Sequence, residues 1–313
     1  MGTKPLLALL SLLFLLSSLT FMLFNVQDWA FALRFRGEKW LLLITIAYTI
    51  GISTLLFQTL TNNLILTPSI LGFDALYLLL QTLLVFLLGS VGFSQLNSSL
   101  KFVFESGFML AASLLLFRRL NHQQDLTRMI LIGVIFGVLF RSLNNLLQRL
   151  IDPTDFAVAQ GASFAQFNTV KSELLGIGVV IALLSAIWIW QQRHQLDLLL
   201  LGKNHAISLG LDYSHFSKQL LICCALLVSI STALVGPILF LGLLVCAITH
   251  LVSPTIQHRV RLPITFLIGA ITLISGQVIF EHLLALHGVL SVVIEFVGGI
   301  VFIALLLTQR KGY

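Results

Sequence analysis

The chain is 313 residues long, 58% hydrophobic and only 10% charged, with 24 phenylalanines and a formal net charge of +6. A soluble domain carries about 25% charged residues, and no water-facing surface could hide this much apolar area, so lipid must be the solvent for much of the chain. The positive charge does not indicate nucleic-acid binding, because the basic residues are scattered at the ends of apolar runs, without a patch or interleaved aromatics.

The N-terminal stretch "MGTKPLLALLSLLFLLSSLTFMLF" has the outline of a signal peptide, with Lys4 ahead of an apolar run. That run extends from Leu6 to Phe24 without a clear small-x-small cleavage site after it, so it is read as a first transmembrane helix. Position 6 is not Ser or Thr, and the Met-Gly start therefore does not indicate myristoylation. A helix needs about 20 apolar residues to cross the hydrocarbon core. Further runs of that kind lie at 40–60, 68–89, 100–117, 129–148, 173–190, 219–236, 238–253, 262–284 and 288–307, which predicts ten spans. Only Gly236-Pro237 separates the seventh from the eighth, so nine is the alternative. A tight turn is expected there, since proline lacks an amide hydrogen and glycine tolerates a sharp bend. No linker or soluble insert interrupts the chain. The expected fold class is one all-α integral membrane domain over 1–313, with about ten transmembrane helices.

Lysine and arginine in the loops orient such a protein. With ten spans and the N-terminus inside, Lys4, Arg118, Arg119, Arg128, Arg193, Lys203, Lys218, Arg259, Arg261, Arg310 and Lys311 fall on the cytoplasmic side. Arg34, Arg36, Lys39, Lys101, Arg149 and Lys171 fall outside, and Arg141 lies within a span. The bias places both termini in the cytoplasm, although the first outside loop is unusually basic.

Little in the sequence could run chemistry. The nearest approach to a phosphate-cradling loop is "LGKN", which lacks both the preceding glycine and the following hydroxyl residue. No HExxH, no GxSxG and no cluster of buried carboxylates and histidines appears, so no catalytic or metal site is expected. Cys223, Cys224 and Cys246 all lie inside apolar runs, without metal-ligand or CxxC spacing, and read as small core residues. The acids within spans are Asp74, Glu105, Glu281 and Glu295. Such acids are functional candidates, and a secondary transporter driven by an ion gradient would use them. Glu105 and Glu281 fall near span ends, where solvated acids are common.

One polar, glycine-punctuated insert stands out, "LGKNHAISLGLDYSHFSKQ" at 201–219. In the inside-N orientation, 191–218 is the longest cytoplasmic loop. A helical-length piece lies between Gly202 and Gly210, and a second piece begins at Asp212, with Asp212 and Ser214 as candidate caps. Two short helices flat under the membrane would offer a docking surface; an interfacial loop without a partner is the other reading.

The segment from Leu198 to Leu244 resembles the corresponding part of the iron-siderophore and vitamin B12 permeases, type II importers of the ATP-binding cassette class. Leu201, Gly202, Ala206, Leu209 and Gly210 fill the family's L-x-LG-x-x-x-A-x-x-LG pattern, and Gly236, Pro237, Ile238, Phe240, Gly242 and Leu243 fill GPI-x-F-x-GL. The likeness extends to "FQTLTNNLILTPSILGFDALY", where Gln58, Asn63, Pro68, Leu71 and Gly72 match, with Leu64 in place of the first signature proline. It extends also to "SVVIEFVGGIVFIALLL", with Gly298 and Gly299 at a close-packing site. Cys246 and Ala247 replace the usual Pro-His pair, Gln277 replaces an acid, and Glu281 replaces an arginine, as in the subgroup that handles ferric catecholate and related siderophores.

The resemblance implies a permease subunit of a bacterial ferric-siderophore importer in the inner membrane, without enzymatic activity of its own. It implies a second permease, homologous or identical, cytoplasmic ATPase subunits that carry ATP and magnesium, and a periplasmic or lipid-anchored binding protein. Gly202, Lys203, Asn204, Ala206, Leu209 and Gly210 would belong to the coupling element that meets the ATPase. Arg36 and Lys39, at the family's Arg-x-x-Arg spacing, would pair with acidic residues of the binding protein; ordinary interfacial anchoring is the alternative. Gln58, Asn63, Pro68, Gly72, Gly236, Pro237, Gly298 and Gly299 would serve structure or translocation. No cofactor is expected on this chain.

Overall fold

The computed structural model describes residues 2–24, 29–119, 126–161, 163–167, 172–282 and 290–309. Lys171, Arg310, Lys311 and the side chains of Arg118 and Arg119, which entered the charge count, lie outside the described set.

The described residues form helices and no strand. In chain order they are α1 (Thr3–Leu23), α2 (Trp29–Thr61), α3 (Phe73–Gln95), α4 (Ser98–Arg119), α5 (Leu126–Leu150), α6 (Pro153–Gly161), α7 (Ser172–Gln191), α8 (Arg193–Leu199), α9 (Lys203–Ser208), α10 (Tyr213–Val235), α11 (Leu241–Val252), α12 (His258–His282) and α13 (Leu290–Gln309). Eight are long and apolar enough to cross a bilayer, namely α1 to α5, α7, α10 and α12. α11 and the described apolar part of α13, Leu290–Ile300, are shorter. Each of the ten predicted spans thus coincides with a helix.

Three expectations are corrected in detail. The basic first outside loop is helix, because α2 begins at Trp29 and carries Arg34, Arg36 and Lys39 on its first turns; the run "WAFALRF" contains nothing that would stop a helix before the span. The piece entered at Asp212 is the first turn of α10 rather than a separate short helix, so the loop ends at 212 and not at 218. The two short helices are α8 and α9. Finally, α6 follows α5 as an unpredicted short helix.

α2 and α10 bury 78% and 72% of their apolar windows, against 17% for α1 and α5, so α2 and α10 form the axis and α1 and α5 the periphery. Around that axis α12 and α11 pack on α2, and α4 packs on α10. Close approach depends on small residues. A Cβ on Gly242 would lie 2.1 Å from Thr54 Oγ1, and one on Gly178 would lie 2.7 Å from Leu234 Cδ1. The cysteines are buried on α10 and α11, where Cys224 Sγ donates to Ser53 O at 3.5 Å and Cys246 Sγ to Gly51 O at 3.6 Å.

Two breaks are set by glycines with positive φ, one inside α3 and one between α10 and α11. α3 breaks at Gly89 (φ 67°, ψ 174°), and Asp155 of α6 caps the resumed turn by accepting from Ser90 N at 2.9 Å. The α10–α11 boundary opens at Gly236 (φ 99°), confirming a break at Gly236-Pro237. Here the chain is held by the irregular segment 163–167, with Gln166 N donating to Val235 O at 2.6 Å.

Candidate functional site

The segment between α7 and α10 is built by two glycines. Gly202 adopts φ 85°, ψ 161°, a region open essentially to glycine alone. It ends α8 and starts α9, whose first backbone bond runs from Ala206 N to Gly202 O at 3.0 Å. Gly210 (φ 89°) closes α9 in a Schellman arrangement: Leu211 N donates to Ala206 O at 3.0 Å and Gly210 N to Ile207 O at 2.9 Å. Asp212 then caps α10, as expected, accepting from His215 N at 3.0 Å.

These turns divide the side chains into two sets. Leu196, Leu199 and Ala206 are buried in the core shared with Tyr213, Phe216 and Leu220. Leu201, Ile207 and Leu209 are 50%, 49% and 59% exposed, outside the apolar runs, beside exposed Asn204 and half-buried Lys203. Lys203 Nζ sits 5.9 Å from the Tyr213 ring centroid. A Cβ at Gly202 or Gly210 would meet nothing within 4 Å, so both glycines are needed for backbone conformation and not for internal space. The result is a rigid, anchored knob with an apolar crest, the kind of surface that marks a protein contact.

The same end of the bundle holds a polar chain that sequence reasoning missed. Asp197 Oδ1 on α8 accepts from both the backbone N and the ring Nδ1 of His258, each at 2.7 Å. His258 is fully buried at the start of α12, and its Nε2 lies 2.9 Å from Thr59 Oγ1 on α2. Burial alone would raise the Asp197 carboxyl, but the hydrogen bonds from His258, together with the His258 and His194 imidazoles, hold it below its ordinary value. Next to Thr59, Gln58 is contacted by His250 Nε2 of α11 at 2.9 Å and donates to Leu64 O at 2.7 Å. No local spacing announces these pairs, since Asp197 and His258 are 61 positions apart.

Gln58 thus fastens the reversal after α2. Asn63 Oδ1 accepts from Ile65 N at 2.9 Å within that reversal. Pro68 opens a single 3₁₀ turn to Leu71, and Gly72 (φ 87°) hands the chain to α3. A Cβ on Gly72 would lie 2.8 Å from Gly137 Cα on α5. A Cβ on Gly298 would meet Phe240 and Leu244 at ordinary contact distance, 3.4 to 3.8 Å, whereas one on Gly299 would meet nothing within 4 Å, so the close-packing role expected of Gly299 is not realised among the described residues.

At the opposite end the expected pair Arg36/Lys39 is split. Lys39 is 7% exposed and donates to Glu281 Oε1 of α12, which also accepts from Gln277 Nε2 at 2.8 Å. Its counter-ion turns it inward, away from a docking face. Arg36 Nη1 donates to the Phe21 and Phe24 carbonyls at 3.0 and 2.8 Å, capping α1. Arg34, with its side chain 88% exposed and only a 4.0 Å contact to Glu38, is the most exposed cation of this turn. The span acids are dispersed. Glu281 pairs with Lys39, and buried Glu105 accepts from Gln81 at 2.8 Å beside Lys101 at 3.8 Å. Buried Asp74 has one oxygen without a partner and lies in electrostatic reach of Arg141 and Glu295.

Comparison with known proteins locates this architecture. The chain is 40% identical over 295 residues to the petrobactin import system permease protein YclO of Bacillus subtilis (strain 168), covering 94% of each. It is 34% identical over 262 residues to the petrobactin import system permease protein FatC of Bacillus anthracis, covering 83% of this chain and 74% of that one. A solved metal-chelate type ABC transporter in an inward-facing conformation shares the fold, with a TM-score of 0.83 at 21% identity over 98% of this chain and 99% of that chain. Since the profile of the FecCD transport family matches residues 6–308, all but the extreme ends of the helices described above, the chain belongs to that family.

Proposed function

We propose that this chain is the membrane-embedded permease subunit of an ATP-driven ferric-siderophore importer. The observation that carries the reading is the exposed crest of Leu201, Ile207 and Leu209, held by Gly202 and Gly210, on a family member whose relatives include siderophore import permeases. ATP-bearing subunits would seat on residues 201–210, with Gly202, Lys203, Asn204, Ala206, Leu209 and Gly210 forming the contact and its support and α8 anchoring it from behind. That surface would face the cytoplasm, with both termini on the same side of the bacterial inner membrane. A second permease, homologous or identical, would complete the path. Transport then consists of conformational work: ATP binding and release favour one arrangement of the permease pair over another, each with its own contacts to cargo and partners.

A binding protein would dock at the opposite end. With Lys39 consumed by Glu281, the charges available to steer it are Arg34 and Arg36. Gln58, Asn63, Pro68, Gly72, Gly236 and Pro237 would shape the breaks around which the helices rearrange, and Gly298 would pack α13 on α11. This chain would bind no cofactor, ATP and magnesium residing on the ATPase.

The test is affinity purification from native membranes in mild detergent, with reconstitution of whatever accompanies the chain. Recovery of an ATPase and a second permease, with ATP-dependent uptake of ferric petrobactin as the first probe, is expected. A chain that emerges alone, from membranes whose uptake follows the proton gradient, would replace this reading with an ion-driven carrier.

A further inference from the structure

A docking knob can transmit force only if it is fastened to the helices that move. Two of the three buried apolar anchors, Leu196 and Leu199, lie on α8, and they are non-directional: they hold the helix to the bundle without fixing which neighbour follows it. The directional contacts are polar. Asp197 Oδ1 takes two hydrogen bonds from one residue, the backbone N and ring Nδ1 of His258. It thereby caps the N-terminus of α12, where a negative charge is favoured, and fixes Nδ1 as the protonated ring nitrogen. The fully buried ring then reaches across to Thr59 Oγ1, on the last turn of α2.

We propose that Asp197 and His258 are positioning residues that make α8, the N-terminus of α12 and the C-terminus of α2 move as one body. Displacement of the docking knob is delivered through them to the membrane helices. The groups facing Asp197 are His258, His194 on its own helix and Arg261 on α12. Two further contacts extend the body. His250 of α11 holds Gln58, the neighbour of Thr59, and Gln58 holds the Leu64 carbonyl on the way to the Pro68–Leu71 turn. At the far end of the same helix pair, Lys39 and Glu281 join α2 to α12 again. The α2–α12 pair is therefore clamped at both ends, and a rigid pair turns a push at α8 into a movement felt along its whole length.

This inference rests on the reading of 201–210 as the ATPase contact, and the experiment separates the two. The complete complex is reconstituted in liposomes, and uptake of ferric petrobactin per ATP hydrolysed is measured for wild type and variants. Asp197→Ala is expected to leave the ATPase bound and hydrolysing while uptake per ATP falls at least roughly tenfold, since two hydrogen bonds to a charged group are lost and one alone is of that scale. Asp197→Asn keeps an oxygen for both His258 donors and is expected to retain most of the wild-type ratio. His258→Asn keeps the side-chain contact to Asp197 but cannot reach Thr59, while His258→Gln reaches Thr59 and keeps only the backbone bond to Asp197; each is expected to lower the ratio. A merely structural role would lower assembly, hydrolysis and uptake together and leave the ratio unchanged. A wild-type ratio in Asp197→Ala overturns the inference, and if that variant does not assemble, a wild-type ratio in both His258 variants does so. A wild-type chain that binds no ATPase overturns the functional reading instead.

Discussion

Gly202 and Gly210 show what a single residue contributes here. Neither has a neighbour within 4 Å of where a Cβ would stand, so the chain itself has room for a side chain at both. What forbids one is the backbone, with φ at 85° and 89°. A side chain in such a region costs of order 1–3 kcal/mol, and α9 can escape that cost by unwinding, which would let Leu201, Ile207 and Leu209 turn away. Replacing both glycines with valine is therefore expected to abolish uptake while membrane levels of the protein stay near normal, because the spans are untouched. Uptake together with quantitative immunoblotting of membranes checks this. Normal uptake in the double variant would remove the docking role. These two glycines were legible in the sequence because they punctuate a polar insert between apolar runs. His250 and His258 of the polar chain were not, since a lone histidine at the end of an apolar run carries no local sign of its partner.

At the scale of elements, the apolar runs located every span, because twenty apolar residues in a row leave a chain few alternatives to a membrane helix. The ends were harder to read. α2 starts eleven positions before its predicted run, since amphipathic turns at a helix start look like loop when only hydropathy is counted. Lys39 illustrates the consequence: its spacing to Arg36 suggested docking, yet a residue 242 positions away on α12 decides its fate. That pair is nearly buried, with side-chain exposures of 7% and 18%. Removing one member strands the other, at about 3–5 kcal/mol, whereas removing both with apolar isosteres is often close to neutral. Lys39→Met and Glu281→Gln are each expected to lower the thermal midpoint by more than the double variant does, in detergent-solubilised protein. Equal, additive losses would show the pair to be uncoupled.

The link from α8 to α12 responds to acid in a defined direction. Asp197 is held below the ordinary aspartate value of 3.8 in the folded chain, so the unfolded chain binds its proton first as the pH falls. The stabilisation is complete above that ordinary value and is lost as the pH drops through the lower, folded one. Thermal unfolding of wild type should therefore converge on that of Asp197→Asn at the acid end, the two differing most near neutrality. A gap between them that widens on acidification would reverse the sign and contradict the geometry.

For the whole molecule, the lone chain leaves much of α5 uncovered, and its surface is not uniformly apolar. Arg141, Ser142 and Asn145 are exposed in the second half of the helix, with Arg149 beyond them. Polar groups this deep are costly against lipid, so this face must meet water or another protein, whereas α7, whose exposed residues include Val180, Leu183, Leu184 and Ile187, presents the lipid-like alternative. The assembled importer supplies a reason for the difference: a path for a hydrophilic cargo has to be lined by something other than leucine. The native cysteines are all buried, so they provide a quiet background for labelling. Ser142→Cys and Asn145→Cys are expected to react with a water-soluble maleimide in the intact complex, and to be protected when the ferric siderophore it carries and the binding protein are added without ATP. Leu183→Cys should stay unreactive under both conditions. Labelling of Leu183→Cys with silence at 142 and 145 would place lipid or a sealed protein contact on α5 and move the path to another face of the bundle.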